Sequence, residues 1–131
     1  MDSFMDFLYH YKVVEVLRVV DGDTMDLRID LGFGLQFGVK DEVRVRLKGI
    51  DTPEMRGEEK EAGEAAKQFV VDWFEKYKDH TLVLQTWKDK AGSFGRYLGE
   101  IRAVSPDYKE GDIIPSLNNA LVDAGHAEII K

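Results

Sequence analysis

Cysteine is absent from this 131-residue sequence. That excludes disulfide staples, thiolate zinc sites and a nucleophilic cysteine. Long apolar runs are absent too. The longest span only a few residues, far short of a bilayer crossing. The opening stretch, Met1-Asp2-Ser3-Phe4-Met5-Asp6-Phe7, carries acids where a signal peptide would carry lysine or arginine. The expectation is therefore a soluble, cytoplasmic protein. Repeats, low-complexity tracts and Pro/Gly-rich linkers are also missing, so residues 1–131 are expected to form a single domain. Basic charge is in deficit, with 18 Lys+Arg against 25 Asp+Glu and a net charge of −7. Net charge alone argues against a nucleic-acid partner, whose footprint is a basic patch.

What is present is a folded domain's composition, 44% hydrophobic and 11% aromatic, which excludes global disorder. Local charge differs from net charge. Seven acids fall between Glu58 and Asp79, whereas Arg44, Arg46 and Lys48 alternate onto one face of a short segment ending near Asp51. That face is a candidate basic strip.

Tyr11 to Val20 is rich in β-branched residues and reads as a strand, stopped by turn chemistry at Asp21-Gly22-Asp23-Thr24. From Met25 to Val39 every odd position is apolar. This period-2 run predicts a strand folded back as a hairpin by Gly32, Gly34 and Gly38, with Phe33 to Val39 extending the hairpin. An exposed end there would be a candidate dimer patch. Val43 to Lys48 repeats the alternation. The period then becomes helical from Gly57 to Lys78, with Ala62, Ala65, Ala66, Phe69, Val70, Trp73, Phe74 and Tyr77 forming one stripe. Thr81 to Trp87 and Tyr97 to Val104 read as further strands around a turn at Asp89 to Gly95. Pro115 to Ala124 reads as a short helix stopped by Gly125. Three strands, a long helix, two strands and a short helix predict an α+β, mainly β fold. The expected centre is a small, partly open five-stranded barrel of the oligonucleotide-binding type with two packed helices, and a generic α+β sheet would give a similar string.

Two carboxylate turns stand at strand ends. Asp21 and Asp23 flank Gly22; Asp51 and Glu54 flank Thr52-Pro53. Converging strand ends would bring these acids onto one hard cation, which takes carboxylate, carbonyl and water oxygens. Taken singly, each turn fits plain turn chemistry better. Arg46 and Arg96 are candidate phosphate ligands, because a guanidinium grips two oxygens at once. Periodicity does not single out Arg46 over Arg44 or Lys48. His10, His80 and His126 are scattered without metal-ligand spacing. Trp73 fits the helix stripe. Trp87 and Phe94, at the mouth of the fourth and fifth strands, could stack on a base, but packing is the favoured reading.

Four blocks in order carry a family resemblance: V-V-D-G-D-T (residues 19–24), V-R-L-K-G-I-D-T-P-E (45–54), F-G-R-Y-L (94–98) and L-V-D-A-G-H-A (121–127). From about Val13 to Ile129 the sequence resembles the thermonucleases, the staphylococcal-nuclease-like domains. The resemblance implies an oligonucleotide-binding-type barrel and a calcium-dependent nuclease that cuts DNA and RNA and leaves 3′-phosphate ends. It implies Asp23, Asp51 and the Thr52 carbonyl as Ca²⁺ ligands and Asp21 as an acid behind them. It also implies Glu54 as general base and Arg46 and Arg96 as the phosphate-gripping arginines. Three departures stand out. Phe33 to Val39 lengthens the stretch before Arg46, Ser93-Phe94 replaces a Lys-Tyr pair, and the net charge is negative where the family's best-known member is strongly basic. Two other readings stay open: a nuclease-like module that binds nucleic acid or a protein without cutting, and a phosphoesterase for a small nucleotide.

Overall fold

The computed structural model describes residues 9–37, 43–87, 96–107 and 113–130. Met1–Phe7, Gly38, Val39, the Asp89–Gly95 turn with Ser93 and Phe94, and Lys131 lie outside the described residues. The β-branched run forms β1 (His10–Asp21), and the period-2 run forms β2 (Thr24–Gly32). Gly32, Phe33 and Gly34 then take φ of 88°, 55° and 75°. This left-handed turn reverses the chain into β3 (Leu35–Phe37), which pairs Phe37 with Ile29 and Gln36 with Asp30. The predicted hairpin is thus present as far as Phe37, with Phe33 fully exposed at its tip.

The chain continues through β4 (Val43–Leu47) and β5 (Ile50–Asp51), a 3₁₀ turn at Gly57–Glu59 and α1 (Lys60–Lys76). β6 (Thr81–Trp87), β7 (Arg96–Val104), α2 (Leu117–Asp123) and β8 (Glu128–Ile129) complete it. The ladder runs β1-β6-β7-β4-β2 and closes by pairing β2 back onto β1. Five strands therefore form a closed barrel with two helices, the predicted oligonucleotide-binding-type α+β architecture. Closure demands a coiled first strand. β1 supplies it with register shifts after Val13, Val16 and Val19, each of which bends and twists the strand. β4 and β7 are the parallel pair; the other barrel pairings are antiparallel.

Alternation sorts the side chains. Val43, Val45 and Leu47 are buried while Arg44 and Arg46 lie on the outer face. Met25, Leu27, Leu84 and Ile101 fill the barrel with them. On α1 the buried face is Gly63, Ala66, Val70 and Trp73, spaced three and four apart. Ala62 and Ala65, expected in the stripe, are exposed. The helix approaches the loop after β5 so closely at Glu54 and Met55 that the contact line passes through the glycine instead. No helix among the described residues is long and apolar enough to cross a membrane.

α2 begins where the buried Ser116 hydroxyl accepts a hydrogen bond from the Asn119 N–H at 3.1 Å. Gly125, at φ 81°, follows its end. The next residue after Leu117, Asn118, is 3% exposed among apolar neighbours. Its amide donates to the Lys48 and Gly99 carbonyls at 3.0 Å each and accepts from the Ile101 N–H at 3.3 Å. One side chain thus ties α2 to the end of β4 and the middle of β7. Asn118→Ala leaves three backbone groups without this partner and is expected to lower stability by about 2–4 kcal/mol. Urea denaturation checks this as a lower midpoint at unchanged slope; an unchanged midpoint refutes it.

Candidate active site

The site is built where the β1–β2 turn meets the end of β4. The Asp23 N–H donates to Asp21 Oδ1 at 3.0 Å, which shapes the turn. Gly22 is required by closeness. A Cβ there would lie 2.8 Å from Ala66 Cβ and 2.9 Å from Thr52 Oγ1. The turn is therefore wedged between α1 and the loop after β5. The Leu47 N–H donates to the Asp23 carbonyl at 2.8 Å and brings the end of β4 alongside.

The Asp23 side chain points into this junction and is almost fully buried. Its Oδ1 accepts from the Thr24 hydroxyl at 3.0 Å, and its Oδ2 from the Thr52 N–H at 3.2 Å. Arg46 Nη2 stands 3.8 Å from Asp23 Oδ2 and 3.4 Å from Asp51 Oδ1. The two carboxylate turns read from the sequence thus converge, and Arg46 bridges them. Asp51 itself is open to solvent and is held through its backbone. β5 pairs with β8, Asp51 opposite Glu128, and the Ile130 N–H donates to the Gly49 carbonyl at 2.9 Å.

Glu54 stands on the loop that follows. Its N–H donates to Glu59 Oε2 at 3.2 Å, and its Oε2 lies 3.4 Å from Arg56 Nε. Gly63 holds this loop against α1, since a Cβ there would sit 2.3 Å from the Glu54 carbonyl oxygen. Asp51, Thr52, Pro53 and Glu54 form one wall of a cleft of about 270 Å³, and Gly125 to Glu128 form another. Arg96 opens β7 in register with Arg44, two pairs along from the Arg46–Leu98 pair.

The expected basic strip is not formed by Arg44, Arg46 and Lys48 together. Arg44 binds the fully buried Asp26 through two hydrogen bonds, Nε to Oδ1 at 2.8 Å and Nη2 to Oδ2 at 3.0 Å. Lys48 lies past the end of β4, with its ammonium 4.1 Å from the centroid of Trp87. Partnership, which periodicity does not reveal, separates Arg46 from its neighbours. The sequence reading also missed Gly63, Glu59 and the cleft-lining His126. Gly63 carried a signal, because it falls on the same 3/4 spacing as Ala66, Val70 and Trp73.

The electrostatics are divided between the two turn acids. Burial, then the hydrogen bond and charge of Asp23, push the Asp21 carboxyl up from 3.8 to about 6. Burial also acts on Asp23, but hydrogen bonds from Asp21, Thr52 and Thr24 and the charge of Arg46 outweigh it and hold Asp23 below its usual value. The donors offered to a cation are oxygens only, from Asp23, Asp51 and the Thr52 backbone. That set fits a hard divalent ion rather than a soft one. Among the described residues no group of three His, Asp or Glu side chains forms a metal cage. A cation here would complete its shell with carbonyl and solvent oxygens.

The raised Asp21 carboxyl makes a stability prediction for metal-free protein. Its folded-state value, about 6, exceeds the unfolded 3.8. The stabilisation is therefore full below pH 3.8 and is lost as pH rises to about 6. Asp21→Asn lacks this dependence. Wild type should lose on the order of 1–2 kcal/mol relative to the variant across that window. A tenfold change in proton affinity is worth ~1.4 kcal/mol, and partial solvation discounts the sum. Urea denaturation in chelator at several pH values tests it, and a pH-independent difference refutes it.

Comparison with known proteins identifies the family. The family described as staphylococcal nuclease homologue matches residues 44–131, which contain Arg46, Asp51, Thr52, Glu54 and Arg96. Protein ParB of Escherichia coli is 37% identical over 87 residues, covering 66% of this chain and 40% of that protein. The chain thus spans less than half the length of that relative. Fold, motif order and the family match agree: the chain belongs to the staphylococcal nuclease homologue family.

Proposed function

We propose that this protein is a calcium-dependent nuclease that hydrolyses phosphodiester bonds of DNA, RNA or both and leaves 3′-phosphate ends, with residues 1–131 acting as one nuclease-like domain. The observation that carries this reading is the convergence of Asp23 and Asp51 on Arg46 at 3.8 and 3.4 Å. That spot adjoins an open cleft whose wall carries Glu54. Family membership supports a nuclease-type activity.

Asp23, Asp51 and the Thr52 carbonyl would hold Ca²⁺, with Asp21 behind them. When bound, the ion supplies positive charge that offsets the anionic phosphodiester and its further charged transition state. Arg46 and Arg96 grip phosphate oxygens. Arg46 has further N–H donors beyond the Nη2 that faces the two acids. A guanidinium stays protonated, so both arginines act as charge clamps and not as acids. Glu54 takes a proton from the attacking water. Its pairing with Arg56 does not oppose this, because the two side chains are 64% and 89% exposed, and such pairs hold weakly. Water adds to phosphorus, the bond to the 5′-oxygen breaks, and that oxygen is protonated from solvent.

The test is cleavage of single-stranded DNA in Ca²⁺, with and without chelator. The expected products carry 3′-phosphates and disappear with the ion. Arg46→Lys, Arg96→Lys and Glu54→Gln should each lose about 100-fold or more in turnover with little change in binding. Near-wild-type turnover in all three refutes these roles. Binding without any cleavage would make the chain a nucleic-acid-binding module instead.

A further inference from the structure

A second feature of the same outer face lies beyond the acid–arginine junction. Arg46 is paired with Leu98 across β4 and β7, and Leu98 with Trp87 across β7 and β6. Directly paired residues share a sheet face. Arg46, Leu98 and Trp87 therefore stand in one row on the outside of the barrel. The neighbouring Gly99 faces inward, where a Cβ would meet Val45 and Leu84. Strands lie about 4.8 Å apart, so the row carries Trp87 about 10 Å from Arg46.

The other tryptophan, Trp73, is a core residue at 6% exposure. Trp87 is only half-buried, at the mouth of β6. Above it lies Lys48, whose ammonium is 4.1 Å from the ring centroid. The Lys48 backbone is tied on both sides. Its N–H donates to the Gly99 carbonyl at 2.8 Å, and its carbonyl accepts from Asn118 at 3.0 Å. A fixed root thus carries a four-carbon stem that keeps its reach while the head lies in solvent.

We propose that Trp87 is a stacking platform for a nucleobase of a single-stranded nucleic acid, and that Lys48 is its displaceable lid. The base belongs to a nucleotide adjoining the phosphate gripped by Arg46, so the proposal rests on the nuclease reading of that arginine. Magnitudes decide who holds the ring. An exposed cation–π contact is worth about 2- to 5-fold in affinity. Stacking of a base on an aromatic side chain is worth about 5- to 100-fold. An arriving base therefore takes the ring, and the ammonium moves aside onto a phosphate of the same strand. Leu98, between Arg46 and Trp87, offers an apolar floor for the intervening sugar. Stacking does not depend on base identity, so this subsite favours unpaired strands over duplex without favouring a sequence.

The experiment is fluorescence titration of the protein in chelator with an eight-nucleotide oligothymidylate and with an abasic oligomer of equal length and charge. The oligothymidylate should quench tryptophan emission, and the abasic oligomer should not. Trp87→Phe should lose the quenching while Trp73 keeps its emission. Trp87→Ala, with its fold checked by circular dichroism, should bind oligothymidylate about 5- to 100-fold more weakly and the abasic oligomer unchanged. Lys48→Gln should keep the quenching and lower the slope of log affinity against log salt by about 0.7. Equal affinity for the two oligomers, or quenching that survives in Trp87→Phe, overturns the platform. Base-dependent quenching without Ca²⁺-dependent cleavage overturns the nuclease reading alone; cleavage without base dependence overturns the platform alone.

Discussion

One close approach governs the site end of this barrel. The turn after β1 passes between Thr52 and Ala66 with no room for a side chain at Gly22. The placement of Asp23 follows from that wedge. It brings the Thr52 N–H within reach of Asp23, sets α1 against the loop bearing Glu54, and delivers Asp23 to the end of β4 beside Arg46. Gly63 repeats the device one turn earlier on α1, where the helix lies directly on the Glu54 carbonyl. The long helix is therefore the template against which two loops are pressed, and its packing face is small-to-medium at that end for that reason.

Charge is handled locally. The protein carries −7 overall, yet the site gathers two acids around one arginine, and Arg96 begins the neighbouring strand β7. A buried acid such as Asp23 stays ionised only with hydrogen bonds and positive charge at hand, and Thr24, Thr52 and Arg46 provide them. The same crowding makes its neighbour Asp21 a reluctant anion. Long-range attraction to a polyanion would not be expected at this net charge. Any affinity for a polyanion would have to come from short-range contacts, which is the setting in which aromatic surface beside an arginine gains weight.

Much of this was legible in the sequence, for reasons that differ by element. Period-2 alternation located β2, β3 and β4, because a one-residue slip would expose every core side chain. Glycine and aspartate marked the turns. Motif order located the acids and arginines but not their partners. Arg44 and Arg46 look alike on one strand face, and only folding shows that Arg44 is matched to Asp26. The β5–β8 pair was invisible because two-residue strands have no period. Asn118 was invisible because a lone polar residue in a helix carries no sign of burial. Ala62 and Ala65 misled because alanine is at home on either face of a helix, whereas Gly63 marked the real contact line.

The small β5–β8 sheet has a consequence for the order in which the molecule is completed. Strands of the barrel pair with segments ending at Val104, but Asp51 is braced by Glu128, and Gly49 by Ile130. Contacts between such distant parts of the chain form late, because loop closure must be achieved before they return any stabilisation. On a ribosome, where the C-terminal side of a chain emerges last, the barrel strands are available well before the brace on Asp51. The pairings that hold Gly49 and Asp51 are thus the last of these contacts for which a growing chain has both partners.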